Sequence, residues 1–284
     1  MNPDHLTQTE RAMSERPLGS PLSRRTLMGT AAAGMAVPFV ARAQASGDPD
    51  VVIGAGAAGI ATARALMAQG KSVVVLEAGD RIGGRAWTES ETFGIPFDHG
   101  CSWIQSAKQE FLKDTAEELG FKVQQHDDAG ETVFVGDREA RTSELEQYWD
   151  AYARVERALS DAGREGLDIA ASEVMPNIPF SATSQSWMVM DMSVDFDEMS
   201  TADWWSGAET YPNYLVEQGL GTVIAHLGAD LPVVLSSPVS HIAWGGDGVT
   251  VTTPSGSFRA RACVVTVSTG VLNAGVITFD PPLP

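Results

Sequence analysis

Three glycines, Gly54, Gly56 and Gly59, form a G-x-G-x-x-G string, and a carboxylate, Glu77, stands 18 residues after the last of them. Those residue types at that spacing suit an adenine dinucleotide. Gly54 permits a tight turn, Gly56 lets the backbone approach a pyrophosphate, and Gly59 allows close packing of helix on strand. A helix opening there presents free N–H groups and a partial positive charge to phosphate, with Ala58 among the candidate contacts. Glu77 can accept hydrogen bonds from both ribose hydroxyls and repels a 2′-phosphate. The run continues as Glu77-Ala78-Gly79-Asp80-Arg81-Ile82-Gly83-Gly84-Arg85, which is unusual for a nicotinamide site. Its paired glycines allow a second backbone approach to a cofactor. Arg81 and Arg85 supply fixed charge and fork geometry for phosphate.

These residues need particular elements to hold them. Asp50-Val51-Val52-Ile53 and Ser72-Val73-Val74-Val75-Leu76 are short apolar runs that read as buried strands. Between them Ile60 to Gln69 reads as a helix stopped by Gly70, giving a strand–helix–strand unit with a parallel sheet. From 107 to 215 the character changes. Phe111, Leu112, Ala116 and Leu119 predict a helix closed by Gly120. A longer helix is predicted from about Ser143 to Ala162, with Ser143 and Glu146 at capping-box spacing. Leu145, Tyr148, Trp149, Tyr152, Val155 and Leu159 give it one apolar face. Residues 176–212 carry no readable secondary structure. Strand patterns return at Val233-Val234-Leu235, Val239 to Trp244, Val249 to Thr252 and Cys263 to Val267.

The Glu77–Arg85 string resembles the flavin amine oxidase family, which includes monoamine, polyamine and L-amino-acid oxidases and tryptophan 2-monooxygenase. The resemblance implies FAD as cofactor, with Glu77 on the adenosine ribose and Arg85 along the pyrophosphate and flavin. Asp98-His99-Gly100-Cys101-Ser102-Trp103 is similar to the family's D-x-G-x-x-W loop, which passes beside the flavin. Val239 falls where the family has a valine whose backbone meets the adenine. The segment Val267 to Leu272, then Ile277 to Pro284, is similar to the family segment ending in P-P-L-P. The resemblance covers roughly residues 50–106 and 214–284. The cofactor-binding set it implies is Gly54, Gly56, Ala58, Gly59, Glu77, Ala78, Arg81, Gly84, Arg85, Gly100, Cys101, Ser102, Trp103 and Val239.

The chain departs from the family pattern in places. Pro49 interrupts the first strand, Cys101 replaces an alanine, and Gln218-Gly219 replaces a Gly-Gly pair. Gln105 and Ser106 stand where amine oxidases often have His or Glu followed by Gly, near the substrate side of the flavin. That makes Gln105 the one substrate-side candidate. No catalytic residue is identified. Family members continue well beyond P-P-L-P, so the expectation is a truncated chain that holds FAD weakly and does not turn over an amine.

The expected fold is α/β: a Rossmann-like FAD-binding domain in two parts, 46–106 and 216–284, with an inserted, mostly helical substrate domain at 107–215. The expected reaction is FAD-dependent oxidation of an amine or amino acid to an imine, with dioxygen reduced to hydrogen peroxide. The alternatives are a tryptophan 2-monooxygenase-like enzyme, a desaturase- or protoporphyrinogen-oxidase-like flavoenzyme, and a catalytically incomplete FAD-binding fragment. The D-x-G-x-x-W loop argues against the desaturase-like reading.

Composition bounds the rest. The formal charge is −18, from 37 acidic and 19 basic residues, which makes nucleic acid a poor partner. Two cysteines, Cys101 and Cys263, lack C-x-x-C spacing and are expected as buried free thiols. His99, His126 and His241 have no carboxylate or nucleophile at telling spacing, and no metal site is expected. Ser23-Arg24-Arg25-Thr26-Leu27 is a twin-arginine signature, followed by an uncharged stretch from Thr26 to Ala41 and A-x-A sites at Ala41-Arg42-Ala43 and Ala43-Gln44-Ala45. That stretch is too short and too weakly apolar for a stable membrane span. Residues 1–45 are therefore expected to be an export signal read by the twin-arginine translocation machinery, with the folded protein delivered to a bacterial periplasm.

Overall fold

A computed structural model of the chain describes residues 47–105, 107, 111–126, 132–207 and 212–284. The export signal read at 1–45 and Ser106 lie outside them.

Strand β1 (Asp50–Ile53), helix α1 (Ala57–Ala68) and strand β2 (Val73–Leu76) form the expected strand–helix–strand unit. Strands β10 (Val233–Val234) and β14 (Ala262–Val265) complete a four-stranded sheet in the order β10-β2-β1-β14, with every pair parallel. Apolar runs without alternation suit a sheet covered on both faces, and every residue of β1 and β2 is buried. The pleat divides their side chains. Val51, Ile53, Val74 and Leu76 pack with Val239, Ile242, Val251, Ala260 and Ile277, while Val52, Val73 and Val75 pack with Ala55 and Ala63. Each fully buried Val or Leu is worth about 1.5–3 kcal/mol, so these two strands anchor whatever is attached to their ends. Helix α1 starts at Ala57, three residues before the apolar pattern that begins at Ile60, because alanine favours a first helical turn without any apolar period. Gly70 ends it at φ +74°.

The second sheet comprises β11 (His241–Gly246), β12 (Gly248–Thr253), β13 (Gly256–Ala260) and β15 (Thr278–Asp280), in the order β13-β12-β11-β15. β11, β12 and β13 form an antiparallel meander and β15 runs parallel to β11. The short helix α8 (Thr269–Asn273) precedes β15.

The stretch read as a helical insertion is mixed. It contains α2 (Leu112–Glu118), α3 (Thr142–Arg164), α4 (Ala171–Val174), α5 (Ser181–Met192) and α6 (Thr201–Ser206). It also contains β6 (Val123–Gln125), the hairpin β7 (Phe134–Val135) and β8 (Arg138–Glu139), and β9 (Tyr214–Val216). Strand β9 lies between β6 and β5 (Trp103–Ile104), which ties this stretch to the residues that precede it. A helical core of Val155, Leu159, Ala171, Met188, Phe196 and Met199 fills the remainder. The capping residues of α3 differ from expectation. Glu144, not Glu146, reaches back to the Arg141 N–H at 2.8 Å. The Arg138 and Arg141 guanidiniums, Arg138 first, hold its carboxyl well below the usual carboxylate range. Trp149 turns from the apolar face toward solvent and is exposed.

Helix α7 (Leu220–Gly228) and the hairpin of β3 (Thr88–Glu89) and β4 (Phe97–Asp98) complete the architecture. The cysteines are free, as expected, but not buried: Cys101 is exposed and Cys263 half-buried. Burial still pushes the Cys263 thiol up to about 11. Among the described residues no helix is long and apolar enough to cross a membrane, and no group of His, Cys, Asp and Glu could hold a metal ion.

Candidate dinucleotide-binding site

β1 ends in the turn that carries Gly54, whose φ of +101° is a conformation L side chains rarely adopt. The Gly54 N–H donates to the Leu76 carbonyl at 2.9 Å, so the turn sits at the carboxyl ends of both strands. A Cβ on Gly59 would lie 1.8 Å from the Gly54 carbonyl oxygen, so helix and turn touch backbone to backbone. Thr266, just beyond β14, fastens the turn by donating its hydroxyl to the Ile53 carbonyl at 2.8 Å. Gly56 is the N-cap of helix α1, which has no side-chain cap and no acid in its first turn. Its first backbone bond is Ile60 N–H to the Gly56 carbonyl at 2.9 Å, and among the described residues the amides of Ala57, Ala58 and Gly59 have no partner. Uncapped amides at the positive end of a twelve-residue helix form an anion site.

The two glycine strings, separate in sequence, meet here. The Gly83 N–H donates to the Ala55 carbonyl at 2.8 Å, and Gly56 and Gly83 form an isolated parallel bridge. A Cβ on Gly84 would approach the Gly56 Cα to 3.2 Å. Glu77 follows β2 directly. Its Oε2 accepts from the Ala55 N–H at 2.7 Å and its Oε1 from the Gly79 N–H at 2.7 Å. The carboxylate is thereby locked at the mouth of the turn, and each oxygen keeps a lone pair for a further donor. The neighbouring Ala78 is exposed. Ser237 N–H donates to the Glu77 carbonyl and Ser236 N–H to that of Gly79, which docks the segment leading to Val239 on the same end of the site. The Val239 side chain is buried, while among the described residues its backbone N–H and carbonyl take part in no hydrogen bond. A free donor and acceptor on one residue match the hydrogen-bonding edge of an adenine.

The two arginines diverge. The Arg81 guanidinium donates to the Ile82 carbonyl at 3.2 Å and the Gly84 carbonyl at 2.8 Å, and lies 4.9 Å over the Trp87 ring. Two of its N–H groups are thereby engaged inside the loop, on the carbonyls of Ile82 and of the left-handed Gly84. Arg85 is exposed and has no hydrogen bond or ion pair from its side chain among the described residues. It is the cation left for an anionic ligand.

The Gly100–Trp103 loop lies against Arg85. A Cβ on Gly100 would fall 1.9 Å from the Arg85 carbonyl oxygen, and the Cys101 N–H donates to that oxygen at 3.3 Å. Cys101 is exposed, and its thiol is held above the ordinary range by desolvation and by Asp98, which disfavours a thiolate nucleophile. Ser102 Oγ donates to the Gly100 carbonyl at 3.3 Å. Trp103 is exposed, and its indole N–H donates to His126 Nδ1 at 3.1 Å. Gln105 is exposed just after β5. The chain thus lays out one track: Val239 and Glu77, then the paired glycine turns, then Arg85, then the loop ending in Trp103. Two open grooves lie elsewhere, beside Trp244 and along β14, and none of the track residues lines them.

Two positioning residues escaped the sequence reading. Asp98 accepts from the Leu220 N–H at 2.9 Å, the Gly221 N–H at 3.1 Å and the Thr88 hydroxyl at 2.5 Å. Thr88 Oγ1 in turn accepts from the Thr222 N–H at 3.0 Å. Together they cap α7 from the hairpin that leads into the Gly100–Trp103 loop. Gly221 is required at that contact, since a Cβ would lie 2.4 Å from the Thr88 nitrogen. The Asp of the D-x-G-x-x-W string was the available signal, but nothing local names a cap acceptor for a helix 122 positions away. The remaining histidines are structurally engaged. His99 stacks on Trp87 with ring centroids 4.2 Å apart and pairs with Glu89 at 3.1 Å, and His241 bonds Thr278 at 2.9 Å.

A profile of the flavin containing amine oxidoreductase family matches residues 57–185 and 180–284. Polyamine oxidase 4 of Oryza sativa subsp. japonica is 30% identical over 280 residues, an alignment covering 88% of this chain and 57% of the relative. Putrescine oxidase of Kocuria rosea is 28% identical over 287 residues, covering 82% of this chain and 59% of the relative. The chain therefore spans somewhat more than half the length of these curated relatives. Among solved structures, cyclohexylamine oxidase from Brevibacterium oxydans IH-35A superposes with a TM-score of 0.65 at 26% identity, covering 84% of this chain and 61% of that one. Putrescine oxidase bound to putrescine shares the fold, with a TM-score of 0.62 at 22% identity and the same coverage. With a family profile matched along most of its length and this fold, the chain belongs to the flavin containing amine oxidoreductase family.

Proposed function

We propose that the protein is an FAD-dependent oxidoreductase that converts an amine or amino acid to an imine and reduces dioxygen to hydrogen peroxide. The observation that carries this reading is the meeting of the two glycine strings at the uncapped start of α1, with Glu77 fixed on one side and Arg85 free on the other. The sheet β10-β2-β1-β14 with α1 is read as a Rossmann-like FAD-binding domain, and 107–215 as a substrate domain inserted into it. FAD held here would supply the two-electron acceptor for oxidation of the substrate and the route by which those electrons would reach dioxygen.

The chain's own residues bind, orient and exclude water. The α1 amides and the Gly56–Gly84 contact fit the diphosphate, Glu77 the ribose hydroxyls, and the unpaired Val239 backbone the adenine edge. Arg85 carries charge toward the diphosphate and flavin end. The Gly100–Trp103 loop walls that end, and Gln105 stands on the substrate side. Holding the substrate C–H bond in one orientation converts binding energy into rate. The relatives favour an amine substrate: polyamine oxidase and putrescine oxidase are both named for amines.

The test is anaerobic mixing of the FAD-loaded protein, expressed from its whole reading frame, with a panel of diamines, polyamines, monoamines and amino acids. Bleaching of the oxidised flavin absorbance by an amine, followed by peroxide on admitting air, is expected. A flavin that stays oxidised with every compound sinks the proposal. We also read residues 1–45 as a twin-arginine export signal. Arg24→Lys with Arg25→Lys should hold the precursor in the cytoplasm, and the double variant appearing in the periplasm removes that reading.

A further inference from the structure

We propose that His126 is a positioning residue that sets the angle of the Trp103 indole at the flavin end of the site, an inference that rests on the function proposed above. Trp103 has little else to orient it. It is 43% exposed, it opens a strand of two residues, and it belongs to none of the buried hydrophobic clusters, although its neighbour Ile104 does. An exposed indole on a short strand keeps its side-chain rotamers unless a directional contact selects one. The His126 ring supplies that contact: Nδ1 accepts the indole N–H at 3.1 Å, with the rings tilted 46° and their centroids 6.0 Å apart. Because Nδ1 is the acceptor, the neutral ring carries its proton on Nε2.

The backbone explains why this histidine can do so. β9 is the central strand between β5, which carries Trp103, and β6, which ends just before His126. The His126 N–H donates to the carbonyl of Asn213 at 2.8 Å, and Asn213 is buried just before β9 begins. The imidazole is thus mounted on the sheet that also carries the indole, and it reaches across the central strand to meet it. The same loop places Gly100 and Cys101 on the Arg85 carbonyl, so the loop is held at two points: by the backbone of Gly100 and Cys101 at Arg85 and by the Trp103 ring at His126. His126 itself is placed on no substrate or cofactor atom; it acts through the indole.

The experiment compares wild type with His126→Ala, His126→Asn, Trp103→Phe and the His126→Ala/Trp103→Phe double variant. The Asn amide oxygen falls near the position of Nδ1 and can still accept the indole N–H. In ¹⁵N-labelled protein, the Trp103 indole N–H resonance is assigned by its loss in Trp103→Phe. It should move upfield and exchange about tenfold faster in His126→Ala, and return toward wild type in His126→Asn. In the FAD-loaded protein, His126→Ala should raise the amine KM about threefold to tenfold with a smaller change in kcat. Trp103→Phe should do the same, and the double variant should be no worse than either single variant. An unchanged indole resonance in His126→Ala, or KM effects that add in the double variant, overturns the proposal. Retained far-UV circular dichroism in His126→Asn guards against simple misfolding. If wild type oxidises no amine, the proposed function fails, while the indole resonance still decides whether His126 holds Trp103.

Discussion

Gly56 and Gly59 belong to one motif but carry different burdens. A Cβ on Gly59 would collide with the Gly54 carbonyl oxygen at 1.8 Å, whereas a Cβ on Gly56 meets nothing nearer than the Gly84 Cα at 3.9 Å. Gly59→Ala should therefore lower thermal stability and FAD binding together. Gly56→Ala should leave the melting temperature within about 2 °C, a shift of well under 1 kcal/mol, and still weaken FAD, because only a ligand needs the space above it. Melting curves with and without FAD separate the two; a destabilised Gly56→Ala variant contradicts the division. Glu77 acts at the same scale. Glu77→Ala removes an acceptor for the ribose and also releases the Ala55 and Gly79 amides, so FAD affinity should fall by on the order of 1.5–3 kcal/mol. Unchanged affinity in a flavin-fluorescence titration removes Glu77 from the site.

At the scale of elements, the hairpin of β3 and β4 and helix α7 work as one piece through Asp98 and Thr88. Asp98→Ala strips the α7 N-terminus of its acceptor, and about 1–3 kcal/mol of stability should go with it, since two amides lose a charged partner. Chemical denaturation measures this, and a loss below about 0.5 kcal/mol means that solvent replaces the cap. This contact also marks where sequence was legible and where it was not. β1, α1 and β2 could be read because burial on both faces writes itself as uninterrupted valine and isoleucine, and because the glycine string needs that context. α7 could not: Leu220–Gly228 opens after a glycine, and its cap comes from a residue 122 positions earlier. β15 and α6 are too short to show a period. The α3 cap was misplaced by two residues because two serviceable acids, Glu144 and Glu146, lie near the start, and two arginines outside the helix select the first. In the candidate site, the glycine turn and the place of Glu77 at the end of β2 were legible by type and spacing, whereas the free guanidinium of Arg85 could not be told from that of Arg81. The internal use of Arg81 was not legible, because it depends on the carbonyls of Ile82 and of the left-handed Gly84.

Across the whole molecule, two ion pairs join residues 211 positions apart: Arg261 to Asp50 at 2.6 Å and Arg259 to Asp48 at 3.0 Å. They tie the entry of β1 to the last residues before β14, so the sheet that presents the glycine turn closes only when the distant part of the chain arrives. Asp50 is 2% exposed and among the described residues its Oδ1 has no hydrogen-bond partner, so Arg261 is its compensation. Arg261→Ala should cost about 1–3 kcal/mol, below a fully buried pair because the arginine itself is half in solvent. Arg259→Ala, at an exposed pair, should cost less than about 1 kcal/mol. Equal losses in urea denaturation contradict this ranking. The same closure gives the cofactor track its length, from Val239 and Glu77 at one end to Trp103 at the other. On the proposed reading, most of the contacts the track offers are for the adenosine and diphosphate. The most direct measurement of that central claim is therefore a titration of the protein with FAD, FMN and riboflavin, followed by flavin fluorescence. FAD should bind at least about tenfold, or about 1.4 kcal/mol, more tightly than FMN, and riboflavin most weakly. FMN binding as tightly as FAD, or no binding of FAD, contradicts it.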